Sequence, residues 1–237
     1  SKSKDLISSR GYGITQWDEI FTPRQLNALS TYSDLVKEAR DKIVEDSSTD
    51  NVKYANAVAT YLAFNLDKCS DYWSKICSWH SSKQQIRNTF GRQAIPMVWD
   101  FAETNPLSGS TGSWSSLSKW IPKVINKIYP GPIGTALQHD ATRKYDFIED
   151  PVISTDPPYY DNIDYSDLSD FFYIWLRHTL LEFSPELFLT LETPKAAELI
   201  AAPFRHDGSK EKAYKFFEDG LGAAIMRMKE SANECIP

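Results

Sequence analysis

One stretch of the chain, ISTDPPYYDNIDY at residues 153–165, combines a carboxylate, two prolines and two tyrosines in consecutive positions. It follows the apolar segment PVIST, 151–155, which we predict to be a buried strand ending at Asp156. Proline fixes its own φ and keeps the preceding residue extended, so Pro157 and Pro158 make the turn after this strand rigid. A rigid turn of this kind aims hydrogen-bond acceptors in a fixed direction.

These residue types suit the methylation of an exocyclic amino group on a nucleobase. The lone pair of such a nitrogen is delocalised into the ring, and two acceptors for its N–H bonds free the lone pair for attack on a methyl sulfonium. The Asp156 carboxylate and the Pro157 carbonyl are the predicted acceptors, and Tyr159 stacks on the base, which is worth about 1–3 kcal/mol per base. The base must first leave the duplex. Taken alone, D-P-P-Y is equally well an ordinary turn.

Three polar residues near this motif are candidates for binding cofactor or substrate. Asp140 ends a second predicted strand, 133–141, where an acid either holds the adenine amino group or ribose of a cofactor or is only loop polarity. Tyr160 and Asn162 lie beside the motif and are predicted to shape the base pocket.

Two basic segments lie farther from the motif along the chain. In IRNTFGR, Asn88 with Arg87 and Arg92 are candidates for phosphate or base contacts, against the simpler interpretation of a connecting loop. In PFRHDGSK, Arg205 and His206 either line a DNA groove or belong to an ordinary basic loop.

The elements that must position these residues are mostly helical. TPRQ at 22–25 predicts a helix start with a Thr22 cap and a Gln25 that completes a capping box, and the helix is expected to reach about Val44. A longer helix is predicted from a stripe of apolar residues at alternating steps of three and four. The stripe consists of Val52, Ala55, Ala59, Leu62, Leu66, Cys69, Trp73 and Ile76, and the neighbouring Tyr54, Val58, Tyr61 and Phe64 predict burial on a second side.

Further helices are predicted near 97–103, over 117–128, and over about 209–230. Another is predicted through DLSDFFYIWLRHTLL, with Ser166 as its N-terminal cap. Together with the two strands, these elements predict an α/β fold, although two strands are too few for a whole doubly wound sheet. We expect a mainly helical region over 1–130 and part of a catalytic domain over 131–237.

The composition limits the classes of function. The chain has 237 residues, a net charge of −6 and a pI of about 5.3, unlike a free-standing basic nucleic-acid-binding domain, although a local basic patch is compatible with these values. No apolar run is long enough for a membrane span and no signal peptide is visible, so we expect a cytoplasmic protein without a membrane partner. Cys69, Cys77 and Cys235 indicate reduced thiols, and the spacing of the first two argues against a metal site.

With D-P-P-Y placed after a strand, the chain resembles the amino-group methyltransferases that use S-adenosylmethionine. Four segments together resemble the family of large adenine-specific DNA methylases that carry a zinc ribbon elsewhere in the chain. They are FTPRQLNAL, IRNTFGRQAIPMVWDFAETNP, ISTDPPYYDNIDYSDLSDFFYIWLR and TPKAAELIAAPFRHDG, and the resemblance extends from about Gly11 to about Met228.

This resemblance implies a partial Rossmann-like methyltransferase fold with a large helical portion, S-adenosylmethionine as methyl donor, and N6 of a flipped adenine in duplex DNA as target. Asp140 in HDAT falls where such enzymes place an acidic cofactor contact. The implied setting is DNA methylation and restriction–modification. The implied catalytic residues are Asp156, Pro157, Pro158 and Tyr159.

Two features of the family have no counterpart in this sequence, namely the glycine-rich cofactor loop of the F-x-G-x-G type and the zinc-ribbon cysteines. The expectation is therefore an internal or C-terminal portion of a larger methylase, or a split subunit, that is inactive without the remaining chain or a partner subunit. Two alternatives stay open. One is an RNA amino methyltransferase, and the other is a non-catalytic scaffold or DNA-recognition part of a defence complex.

Overall fold

A computed structural model describes residues 13–46, 51–129, 131–146 and 148–233. Contacts divide these residues into two units. The helical unit consists of 13–129 and 167–193, and the motif unit consists of 131–166 and 194–233. One limit between the units lies at residues 130–131, the position of the predicted division of the chain. Residues 167–193, in contrast, belong to the helical unit. The assignment of 131–237 to a catalytic domain stays a prediction.

Helix α1, Pro23–Glu45, begins with the predicted capping box. The Thr22 hydroxyl accepts a hydrogen bond from the Gln25 amide at 3.2 Å, and the Gln25 side chain accepts one from the Thr22 amide at 2.8 Å. Two N–H groups that the helix leaves unpaired are therefore satisfied by side chains, which fixes the start of α1.

Helix α2, Val52–Tyr72, packs against α1 and carries the predicted apolar stripe, although Val52 itself is exposed. Leu66 and Cys69 of the stripe are fully buried, and Trp73 continues it beyond the helix end. The prediction of a second buried side is wrong. Tyr54, Tyr61 and Phe64 are 61%, 40% and 52% exposed, because helix packing in the helical unit covers mainly the stripe.

The remaining strands and α-helices of the described residues are short, apart from two helices. They are strand β1 (Ser78–His80), strand β2 (Gln85–Arg87), helix α3 (Trp114–Ser118), helix α4 (Trp120–Ile125), helix α5 (Tyr165–Leu180) and helix α6 (Lys210–Ser231). β1 and β2 form an antiparallel hairpin. The predicted helix over 117–128 is split into α3 and α4, and α6 begins as predicted, since the Ser209 hydroxyl accepts from the Lys212 amide at 3.2 Å.

The core of the helical unit is rich in aromatic rings. The ring of Phe171 on α5 stacks on the ring of Phe21 at a centroid distance of 5.8 Å. The ring of Trp175 meets the Phe21 ring edge-on at a centroid distance of 6.0 Å. The Trp73 indole N–H donates to the Gly112 carbonyl at 2.8 Å. Gly112 has a φ of +84°, and a Cβ there would lie 2.9 Å from the Tyr72 ring, so glycine is required at this contact.

Three predicted elements do not form. No helix forms near 97–103, because the Ala102 amide donates to the Cys77 carbonyl at 2.9 Å instead of to its own segment. The strands predicted over 133–141 and 151–155 are also wrong. Both segments are irregular, because a strand needs a neighbouring ladder, and the only sheet among the described residues is the β1–β2 hairpin. The fold is thus mixed α/β, mostly helical, with one two-stranded sheet.

Both cysteines in the described part of the chain are buried free thiols, as predicted, and burial raises the pKa of Cys69 and of Cys77. Cys235 lies outside the described residues. The described residues contain no group of three or more His, Cys, Asp or Glu side chains placed to hold a metal ion. Over the same residues, no helix combines the length and the apolar character needed to cross a bilayer.

Asp67 on α2 carries a carboxylate oxygen that lacks a partner. Its Oδ1 atom is buried and accepts no hydrogen bond, although the residue as a whole is partly exposed. Burial raises the pKa of this carboxyl to about 8. The protonated acid is therefore the form that the folded helical unit favours at neutral pH.

We expect this group to make the folded state less stable as the pH rises. An unfolded aspartate releases its proton near about pH 4, whereas folded Asp67 keeps it up to about pH 8. Its stabilising contribution is thus complete below about pH 4 and is lost as the pH rises through about 8, at a slope on the order of 1 kcal/mol per pH unit. Urea unfolding across this range should show a flatter dependence for Asp67→Asn, with the exposed Asp34→Asn as control. An Asp67→Asn variant with the wild-type slope contradicts the assignment.

Candidate functional site

The D-P-P-Y motif lies on an irregular segment of the motif unit. Asp156 and Pro157 are exposed, and the Tyr159 side chain is 54% exposed. The negative charge of the nearby Asp156 carboxylate raises the pKa of Tyr159. The predicted acceptor and the predicted stacking ring are thus neighbours in space as well as in sequence.

Tyr160 fixes the end of the motif. Its φ of +55° lies in the left-handed region, which costs a non-glycine residue on the order of 1 kcal/mol. Two contacts offset this cost. The Tyr160 carbonyl accepts a hydrogen bond from the Ala201 amide at 3.0 Å. Its ring packs against Tyr214 and Phe217 of α6, at centroid distances of 5.4 and 4.9 Å. Tyr160, predicted as a substrate contact, is therefore also the anchor of the segment.

Asn162 closes a turn directly after the motif. The backbone amide of Asn162 donates a hydrogen bond to the Tyr159 carbonyl at 3.1 Å, and the residue is exposed. The turn keeps Asn162 beside the Tyr159 backbone, close to where the sequence analysis expects the base pocket.

Asp140, predicted to contact the cofactor, forms a turn instead of ending a strand. Its Oδ1 atom accepts from the Thr142 amide at 2.9 Å and from the Thr142 hydroxyl at 2.7 Å. The Arg143 guanidinium lies 3.5 Å from Oδ2. The hydrogen bonds from Thr142, with a smaller contribution from Arg143, lower the pKa of Asp140, so it is a carboxylate at neutral pH.

A cluster formed by Ser166, Glu198 and Arg205, which we call the Glu198 cluster, organises the other half of the motif unit. The Glu198 carboxylate accepts from the Ser166 amide at 3.0 Å and from its hydroxyl at 2.5 Å. Arg205 donates to the same carboxylate at 2.7 Å, to the Ser166 hydroxyl at 3.0 Å and to the Lys195 carbonyl at 3.1 Å. The Arg205 and Glu198 side chains are only 15% and 13% exposed.

This cluster changes the roles expected for two residues. The prediction that Ser166 caps α5 is wrong, because the helix begins at Tyr165 and the serine hydroxyl binds Glu198, whose carboxylate accepts an N–H of the first turn. The Arg205 guanidinium is enclosed in the cluster and so is not available to line a DNA groove. The His206 ring packs on Phe216 at 4.9 Å.

Asn88 belongs to the helical unit, where its amide is used in the packing of a loop. Its Nδ2 donates to Asp71 Oδ2 at 2.8 Å and to the Phe90 carbonyl at 3.2 Å. The buried Asp71 carboxylate also accepts from the Phe90 amide at 3.0 Å and from Lys68 Nζ at 3.0 Å. These contacts join the end of α2 to the loop after β2 and give Asn88 a structural role. Arg87 and Arg92 beside it are exposed.

Comparisons of the chain with protein-family models, with curated proteins and with solved structures find no match. The function is therefore inferred from the residues alone. What they offer chemically is an exposed carboxylate acceptor, a half-exposed aromatic ring and two prolines, on a segment whose end is anchored by Tyr160.

Two residues that organise this site, Glu198 and Ala201, were not singled out from the sequence. Glu198 is 32 residues away from its partner Ser166, and no local spacing reports a contact of that kind. The one signal in the sequence is that Glu198 and Ala201 lie in TPKAAELIAAPFRHDG, one of the segments that carry the family resemblance.

Removal of one member of the Glu198 cluster should destabilise the motif unit. Arg205→Ala leaves a nearly buried carboxylate without its cation, and we expect a loss of about 3 kcal/mol in the free energy of unfolding, measured by urea denaturation. The double variant Glu198→Gln with Arg205→Met removes both charges and should lose less. Lys215→Ala removes an exposed ion pair with Asp219 and should change stability by less than about 1 kcal/mol. Equal effects of Arg205→Ala and Lys215→Ala contradict the role of the cluster.

Proposed function

We propose that this chain carries the amino-acceptor motif of an S-adenosylmethionine-dependent methyltransferase that acts on the N6 amino group of adenine in DNA. The observation that supports the proposal most is the pairing of Asp156 and Tyr159. Both residues are exposed, and the carboxylate is close enough for its charge to raise the pKa of Tyr159, so an acceptor for an amino group and a ring for its base are offered together.

In this proposal, each motif residue acts through its own chemistry. The Asp156 carboxylate and the Pro157 carbonyl accept the two N–H bonds of the amino group, which frees its lone pair. Tyr159 stacks on a base that has left the duplex. Because the Asp156 carboxylate and the Tyr159 ring are both exposed, an amino group and the face of its base can reach them together.

The described residues do not fit a site for the methyl donor. Oδ1 of Asp140, the predicted cofactor contact, is engaged by Thr142 in its own turn. Within the described ranges, the glycines with positive φ are Gly13, Gly112 and Gly208, and none of them follows a strand as a cofactor loop does. We therefore assign the donor site, and the Rossmann-like sheet that the proposal requires, to the remaining part of a larger cytoplasmic methylase or to a partner subunit.

The proposal predicts that methyl transfer by the complete protein depends on the Asp156 carboxylate. Asp156→Asn keeps the shape of the side chain but replaces an acceptor oxygen by a donor, and we expect transfer to fall by about 100-fold or more. Tyr159→Phe keeps the stacking ring and should retain most of the activity. The measurement is the transfer of labelled methyl groups to duplex DNA, with identification of N6-methyladenine by mass spectrometry.

Asp161→Asn, which changes an exposed acid next to the motif, is the matched control and should behave as the wild type. Wild-type activity in Asp156→Asn rejects the assigned role of the carboxylate. Methylation of RNA but not of DNA rejects the DNA assignment and favours the RNA alternative.

A further inference from the structure

A groove in the helical unit is open, apolar and bordered by lysines. It lies between α2 and the pair α3–α4, and its volume is about 560 Å³. Its lining includes Tyr61, Phe64, Lys68, Tyr72, Trp120 and Val124. We call this surface the α2–α4 face.

The rings of this face are exposed to a degree that packing does not explain. Phe64 is 52% exposed and Trp120 is 62% exposed. None of the six residues of α4 is buried, although Trp120, Ile121, Val124 and Ile125 are all apolar. Contiguous exposed apolar surface of this kind marks an interaction site.

The charge beside this face is the opposite of that of the whole chain. The chain carries 32 acidic residues and a net charge of −6, yet the stretch 104–129 of the helical unit contains none of these acids. The same stretch contains Lys119, Lys123 and Lys127, which are exposed and spaced by four residues, so they lie on one side of α4 and the turn that follows it. The acidic character of the chain is thus interrupted at this face, which argues for an anionic partner.

Two rings of the groove each lie next to a lysine. Lys123 Nζ lies 4.6 Å from the centroid of the Trp120 ring on the α4 side. On the α2 side, Lys68 Nζ lies 5.3 Å from the Tyr72 ring, and Lys68 also pairs with the buried Asp71. Rings that stack on bases, next to lysines that bind phosphates, are the combination by which proteins hold single-stranded nucleic acid.

We propose that the α2–α4 face binds single-stranded nucleic acid, with bases on Trp120 and Phe64 and phosphates on Lys119, Lys123 and Lys127. A duplex fits less well, because its base faces are stacked and unavailable to exposed rings. No residue of this face belongs to the D-P-P-Y motif, so the inference does not depend on methyl transfer.

The test of the lysines is the fluorescence anisotropy of a labelled thymidine oligonucleotide titrated with the chain at several salt concentrations. Neutralisation of three phosphates predicts a slope of roughly −2 for log K against log salt concentration. A triple variant, Lys119→Gln, Lys123→Gln and Lys127→Gln, should bind roughly tenfold more weakly and with a flatter slope. A second triple variant removes the same charge elsewhere and should bind nearly as the wild type. It consists of Lys42→Gln, Lys83→Gln and Lys215→Gln, all at exposed lysines.

The test of the rings uses one tryptophan on the face and one outside it. Trp120→Ala removes a stacking surface and should weaken binding by roughly tenfold. Trp99→Ala is the control, because Trp99 is 93% exposed and does not line the groove. Both side chains are exposed, so neither change is expected to unfold the chain, which circular dichroism checks.

Several results overturn the inference. One is the absence of binding by the wild-type chain at low salt. Another is equal weakening by the two lysine variants, which indicates non-specific attraction. A third is a Trp120→Ala variant that binds the oligonucleotide as the wild type does but has a different sedimentation coefficient. That result would assign the face to contacts between copies of the chain. Binding is measured without a methyl donor, so failure here and failure of methyl transfer are distinguishable.

Discussion

The motif unit depends on one nearly buried carboxylate. Glu198 binds the amide and hydroxyl of Ser166 on one side and the guanidinium of Arg205 on the other, with all three contacts at 3.0 Å or less. Ala201 lies between Glu198 and Arg205 in the chain, and its backbone amide donates a hydrogen bond to the carbonyl of Tyr160. The position of the D-P-P-Y segment is therefore fixed from residues that follow it in the chain. No strand beneath it does so among the described residues of this unit.

This anchoring has a chemical consequence for the motif. The two prolines restrict the backbone around Asp156, and the left-handed Tyr160 ends the segment at a defined point against α6. Between these two constraints, Asp156 and Tyr159 are left exposed, and the carboxylate is close enough for its charge to raise the pKa of Tyr159. A carboxylate on a restricted backbone needs little rearrangement to accept an N–H bond. This preorganisation is the physical basis of the function we propose.

Local signals predicted the four long helices, and they failed where structure depends on distant partners. The Thr22–Gln25 capping box and the Ser209 cap are contacts within a single turn, so the sequence contains all the information needed for them. The stripe on α2 was found from its period, but the exposure of Phe64 was not, since that depends on which neighbours cover the helix. The strands expected at 133–141 and 151–155 rested on short apolar runs alone. Such runs report hydrophobicity and not the presence of a partner strand.

The candidate site was predicted in the same partial way. D-P-P-Y and the residues beside it could be chosen because their chemistry is local. The Glu198 cluster could not, because it joins residues 32 positions apart. Asn88 was chosen for its polar side chain, and its role depends on Asp71, which sequence spacing does not connect to it.

Among the described residues, contacts from the 198–205 segment, and not a sheet, hold the D-P-P-Y segment in place. Native-state amide hydrogen exchange at Ala201 tests this most directly. We predict that the Ala201 and Ser166 amides exchange far more slowly than the amides of the exposed Ser154 and Thr155. We also predict that Glu198→Gln speeds exchange at both protected positions together. An Ala201 amide that exchanges as fast as that of Ser154 in the wild-type chain contradicts the account.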